Sequence, residues 1–183
     1  MKKIVVIAGI VVALIAASLI SLRIYTKSFS PEGHAEYKSE DLAIQVSYGR
    51  PYKKDRVIFG ELVPYGEVWR TGANEPTIFT TNVDLRIGDD ILKAGSYALF
   101  SIPEKDSWKI IFNNEIPGWG VGFDGKAARN EDADELVIEV SAINTKSMFE
   151  QFTIDFESMH NELDMILMWD KTLVVVPLEP TKL

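Results

Sequence analysis

FEQFTIDFE, residues 149–157, decides the fold class. Phe152, Ile154 and Phe156 fall on one side, and Gln151, Thr153 and Asp155 on the other. A period of two is the mark of a strand with one buried face. ELVIEVSAI (135–143) repeats the pattern, with Leu136, Ile138 and Val140 opposed to Glu135, Val137 and Glu139. Working outward, LAIQVSY (42–48), TIFTTNV (77–83), VDLRI (83–87), SYALFSI (96–102), SWKIIFN (107–113), LDMILMW (163–169) and TLVVVPL (172–178) also read as strands. Gly88-Asp89-Asp90 and Lys93-Ala94-Gly95 read as hairpin turns, and Pro103 stops the strand before it. Past the N-terminal segment no helical period persists beyond a turn or two. Short strands separated by turn signals predict an all-β fold, an antiparallel β-sandwich, jelly-roll-like, of about 8–10 strands.

The N-terminal segment differs. Ile4 to Leu22 carries no charge. At about 1.5 Å per residue it spans roughly 28 Å, close to the ~30 Å hydrocarbon core of a bilayer. Two readings compete. Lys2 and Lys3 before it and Ala16-Ala17-Ser18 within it resemble a cleaved signal peptide. The apolar run, however, continues through Leu19, Ile20 and Leu22, longer than a usual signal core, and this favours an uncleaved anchor. The expected organisation is a transmembrane anchor or signal segment (1–27), a polar tether (28–40) and a β-sandwich domain (41–183). The expected placement is single-pass in the cytoplasmic membrane, with the domain exported to the periplasm. Gly9, Ala13 and Ala17 form a small-residue stripe suited to helix pairing, a pattern that Ala-rich spans also produce by chance.

The first 31 residues hold four basic groups and no acid, so the remainder carries 15 basic against 27 acidic groups, a net of −12. Such a body repels nucleic acid and anionic lipid surfaces. With no cysteine in the chain, disulfides, thiolate catalysis and Cys-ligated zinc are excluded. His34 and His160 are the two histidines, one in the tether and one in a turn, with no metal-ligand spacing between them. No nucleophile elbow, phosphate loop or dinucleotide fingerprint is present. Asp89-Asp90 reads as a turn. Glu131, Asp132, Asp134 and Glu135 read either as calcium oxygens or, more simply, as solvated loop charge. The expectation is no metal and no cofactor.

The chemistry concentrates in two irregular loops. YGRPYKKDRVIFGELVPYGEVWRTGANEP (48–76) is rich in basic, aromatic and turn-forming residues, too broken for one helix or strand and too apolar for a disordered linker. Ordered loops on a rigid scaffold are where binding groups gather. NEIPGWGVGFDGKAARNEDAD (114–134) is the second loop. The candidate ligand-binding residues are Arg50, Arg56, Trp69, Arg70, Asn74 and Trp119. The arginines offer donors for an anion, the tryptophans flat apolar faces, and Asn74 both donor and acceptor. Each has a plainer reading: Arg50 and Arg56, with the rest of the basic loop, neutralise neighbouring carboxylates, Trp69 plugs the sandwich, Arg70 ties to an internal carboxylate, Trp119 is structural, and Asn74 caps a turn.

SYGRPYKKDRVIFGELVPYGEVWRTGANEPT (47–77), IGDDILKAGSYALFSIPEKDSWKIIFN (87–113), GWG (118–120) and the tail EQFTIDFES with LDMILMWDKTLVVVPL (150–178) together resemble a bacterial family of unknown function, DUF2911. The resemblance covers nearly the whole domain, and the W-R-T-G-A-N string is specific. It implies an exported, β-rich protein with an N-terminal signal or anchor, and no activity to transfer. One departure is local. Where members of the family place an Asp and then an Arg opening the strand after the second loop, this chain has Asp134 and then Leu136-Val137.

Three functions follow as expectations. The first is a membrane-held binding module for a small polar or anionic ligand, a glycan or a carboxylate. The second is an envelope carbohydrate hydrolase or lyase using Glu67 or Glu75 beside Arg70. The third is a structural protein whose aromatic loop meets an envelope protein partner.

Overall fold

The computed structural model describes residues 2–122, 124–160 and 162–181. A long helix, α1 (Lys2–Phe29), precedes the strands β1 (Glu32–Lys38), β2 (Ala43–Gly49), β3 (Ile78–Thr81), β4 (Leu85–Ile87), β5 (Asp90–Leu92), β6 (Gly95–Pro103), β7 (Ser107–Asn113), β8 (Asp134–Met159) and β9 (Glu162–Pro180). All neighbours pair antiparallel, in the order β1-β2-β3-β6-β7-β8-β9-β4-β5. The chain is therefore an all-β antiparallel domain on one apolar helix, as its alternation predicts.

Two expected boundaries change. The segments at 135–143 and 149–157 are one strand, β8, and those at 163–169 and 172–178 are likewise one strand, β9. The polar run Asn144-Thr145-Lys146-Ser147 separates the two expected strands, yet the backbone stays extended and absorbs the irregularity in register shifts between Asn144 and Phe149 and between Phe149 and Thr153. Bulges of this kind bend a strand without ending it. As far as Ser141, β8 pairs with β7; from Ala142 it pairs with β9. The sheet thus folds back over itself around its main core.

The second change is the tether. Residues 32–38 are not a linker but β1, in register with β2 from Glu32–Gly49 to Lys38–Ala43. Gly33 and Ala35 point inward while Glu32, His34 and Glu36 face water. Tyr37 shares that face and packs on the core, but with Gly and Ala at the other two inner positions the strand shows little of the apolar alternation that would reveal it. The sheet consequently begins within three residues of the end of α1.

The core bears out the faces expected from FEQFTIDFE and ELVIEV. Phe152, Ile154 and Leu136 are buried, Phe156, Ile138 and Val140 are half-buried, and Val137 is exposed. Tyr48 on β2 joins the two halves of the folded sheet. Its hydroxyl donates to the Ile154 carbonyl at 3.0 Å and accepts from the Ile154 N–H at 2.8 Å. Burial pushes that hydroxyl above its ordinary pKa, so it stays neutral. The apolar stretch of α1, Gly9–Phe29, is long and apolar enough to cross a membrane and is 0% buried by the domain. Gly9, Ala13 and Ala17 lie exposed along it.

Candidate functional site

A groove of about 1190 Å³ opens where the end of α1 meets the two irregular loops. Thr26, Phe29 and Ser30 form one wall, residues of 51–74 a second, and Val121, Gly125, Lys126, Ala127, Arg129 and Glu131 a third. Trp69 and Trp169 form part of its lining.

The Trp69-to-Asn74 segment is held by its backbone. Trp69 exchanges two main-chain hydrogen bonds with Ser101 of β6, at 2.7 and 2.9 Å. The buried Thr71 hydroxyl donates to the Ser101 hydroxyl at 2.9 Å, and the Thr77 hydroxyl donates to the Thr71 carbonyl at 2.8 Å. Thr71 and Asn74 take the left-handed conformation, with φ of 52° and 64°. Gly49 packs so tightly beneath that a Cβ would sit 1.9 Å from the Ala73 carbonyl oxygen. The second loop closes on the first at Gly120, where a Cβ would meet the Arg70 Cδ at 2.6 Å and the Asn74 carbonyl oxygen at 3.0 Å. The W-R-T-G-A-N string (69–74) and the G-W-G string (118–120), distant in sequence, therefore meet in space.

Trp69 packs as its plainer reading expects and also lines the groove. Its ring stacks on Trp169 at 5.8 Å and 19°, with the edges of Phe59, Trp108 and Phe152 around it, and its Nε1 donates to the Gly72 carbonyl at 3.1 Å.

Arg70 is different. It is half-buried, its Nε has no hydrogen-bond partner, and it forms no salt bridge with a described residue. Burial pushes the guanidinium below its ordinary pKa, and no carboxylate of a described residue opposes the shift. The internal tie expected as its plainer reading is not made among the described residues. Trp169, only 2% exposed, also has a buried Nε1 without a partner. Both unsatisfied donors belong to side chains that line the groove.

The other candidates divide. Arg56 lines the groove but is exposed, its guanidinium donating to the Tyr52 and Lys53 carbonyls. Asn74 lines it too and donates to the Ser30 carbonyl at 3.2 Å, fastening the loop to the end of α1. Arg50 is not brought to the groove. Its Nε donates to the Phe152 carbonyl at 3.3 Å and its Nη2 to the Thr153 hydroxyl at 3.0 Å, pinning β2 to β8. Trp119 is 41% exposed and lies outside the lining.

Three further lining residues give little sign of themselves in the sequence. Trp169 hides in the alternation of LDMILMW, which reads as core. Lys54 lies in the basic loop, its ammonium 4.6 Å from the centre of the Phe29 ring. Arg129, in the second loop, is bound by Asp134 and reaches Glu131 at 3.3 Å. Hydrogen bonding to Asp134 raises its pKa. The acidic group expected either to bind calcium or to be solvated is thus partly engaged: Asp134 and Glu131 with Arg129, and Glu135 with the Asn114 side chain.

The acid–base candidates fare unequally. Glu67 lines the groove and is exposed. Glu75 does not line it, and meets Arg23 at 2.9 Å and Lys27 at 3.1 Å. Burial alone would raise its pKa, but hydrogen bonds from those two cations outweigh burial and hold it below the ordinary value. A carboxyl so held is ionised at neutral pH and has no proton to give as a general acid.

Fold and groove together define an all-β domain carried on an apolar N-terminal helix, with a cationic, Trp-lined groove at their junction. The chain belongs to the family described as "Protein of unknown function (DUF2911)", which it matches over residues 30–178. No curated protein and no solved structure matches it.

Proposed function

We propose that this is a membrane-anchored binding module, displayed on the periplasmic side of the cytoplasmic membrane, whose groove takes a small polar or anionic ligand. One observation carries the reading: the groove is lined by two side chains, Arg70 and Trp169, that each bury an N–H without an acceptor. A buried donor left unpaired costs about 1–3 kcal/mol, more when charged. A ligand whose negative charge meets the Arg70 guanidinium offsets its desolvation.

The test is thermal unfolding of the full chain in an uncharged detergent, with a panel of carboxylates, glycans and phosphates. A ligand present at a hundred times its dissociation constant stabilises by about 2.7 kcal/mol, a rise of roughly 5 °C or more at this size. The expected result is such a rise in the wild type and none in Arg70→Ala. A panel without effect on the wild type contradicts the reading. Protease digestion of spheroplasts tests the placement: cleavage of the domain is expected, and protection would put it on the other side.

A further inference from the structure

We propose that the anion taken by the groove is the phosphodiester of a phospholipid from the bilayer that holds α1. This rests on the reading of the groove as an anion-binding site and names its ligand class.

Position is the first argument. The uncharged run of α1 ends at Leu22. At about 1.5 Å per residue, Thr26 lies ~6 Å and Ser30 ~12 Å further along the axis. Both belong to the groove wall. The headgroup layer of a bilayer is roughly 5–8 Å deep on each side. The groove therefore begins at the depth of the lipid phosphates. Of this wall Phe29 is exposed and Thr26 and Ser30 are half-buried, and the helix leading up to it is uncovered by the domain.

Charge is the second. Lys54, Arg56 and Lys126 line the groove with Arg70, and none of the four makes a salt bridge with a described residue. The domain around them is strongly acidic. An acidic body repels an anionic surface as a whole, which argues for capture of one headgroup in a local basic pocket over flat adsorption.

Apolar exposure is the third. Phe29 and Leu62 line the same groove and are 42% and 45% exposed, and Val57 in the same loop is 52% exposed. Cations beside exposed apolar side chains suit a ligand with a charged head and acyl chains. A soluble sugar acid has no use for the apolar part.

The experiment titrates the full chain, in uncharged maltoside detergent, with dihexanoyl phosphatidylglycerol, dihexanoyl phosphatidylethanolamine, glycerol 3-phosphate, inorganic phosphate and galacturonate. Tryptophan fluorescence reports binding, since Trp69 and Trp169 line the groove. The expected result is that a short-chain phospholipid binds at least tenfold more tightly than glycerol 3-phosphate. Arg70→Gln should weaken it about tenfold, and the exposed Lys54→Gln, which keeps the fold, severalfold. Equal binding of glycerol 3-phosphate or phosphate overturns the lipid inference and leaves the anion site standing. Binding of galacturonate with no response to either lipid does the same. No response to any anion overturns both.

Discussion

Arg129 and Arg70 line the same groove from opposite loops, and the protein treats them differently. Arg129 is bound by Asp134 and reaches Glu131, with 12% of its side chain exposed. Arg70, also half-buried, makes no salt bridge with a described residue. Their pKa values move in opposite directions, raised by Asp134 in one case and lowered by burial in the other. The difference separates an arginine tied to a carboxylate from one that, among the described residues, is not. Arg50 is also tied, its guanidinium bridging β2 to the backbone and hydroxyl of β8.

The largest effect is expected from removing the carboxylate that ties Arg129. Asp134→Ala should cost about 3–5 kcal/mol, because it strands a part-buried guanidinium. The midpoint of thermal unfolding should fall by roughly 6 °C or more. Adding Arg129→Met should restore most of that loss, since an apolar replacement of the whole pair is often neutral. If Asp134→Ala melts like the wild type, the tied arginine is not tied.

Arg50→Ala comes next. Losing two hydrogen bonds from a charged donor should cost about 1.5–3 kcal/mol. Denaturant unfolding should show the loss, and ligand response should persist in the folded fraction. A variant of wild-type stability that no longer binds would move Arg50 into the site.

The smallest effect lies at the contact between helix and loop. Glu75 titrates lower in the folded state than unfolded, so its contribution is complete above the ordinary carboxyl value of 4.5 and is lost as pH falls through the lowered folded value. Its side chain is 32% exposed, so the pair with Arg23 and Lys27 is worth at most about 1 kcal/mol. Glu75→Gln should remove that acid-limb dependence and change stability at neutral pH by no more than this amount. An acid limb unchanged in Glu75→Gln would place the titrating group elsewhere.

Much of the fold was legible because apolar side chains alternate where strands have one buried face, as at Phe152 and Ile154. β1 was not, because Gly33 and Ala35 leave Tyr37 as the one large side chain of its inner face, too little alternation to stand out from a linker. The continuity of β8 was not, because a bulged strand and a turn share the same polar composition. For the groove, the sequence pointed to Arg56, Trp69, Arg70 and Asn74, all of which line it. Arg50 and Trp119 share that composition and lie elsewhere. Trp169 was invisible as a groove residue, since whether an indole N–H finds an acceptor depends on tertiary packing.

The most direct measurement is the unfolding midpoint of Arg70→Met against wild type, without ligand and then with dihexanoyl phosphatidylglycerol. An arginine kept available predicts a midpoint within about 2 °C of wild type or above it, because an unpaired buried cation is replaced by an apolar chain. It also predicts that the ligand-induced rise disappears. A fall of about 6 °C or more without ligand, or a rise with ligand equal to that of the wild type, would contradict it.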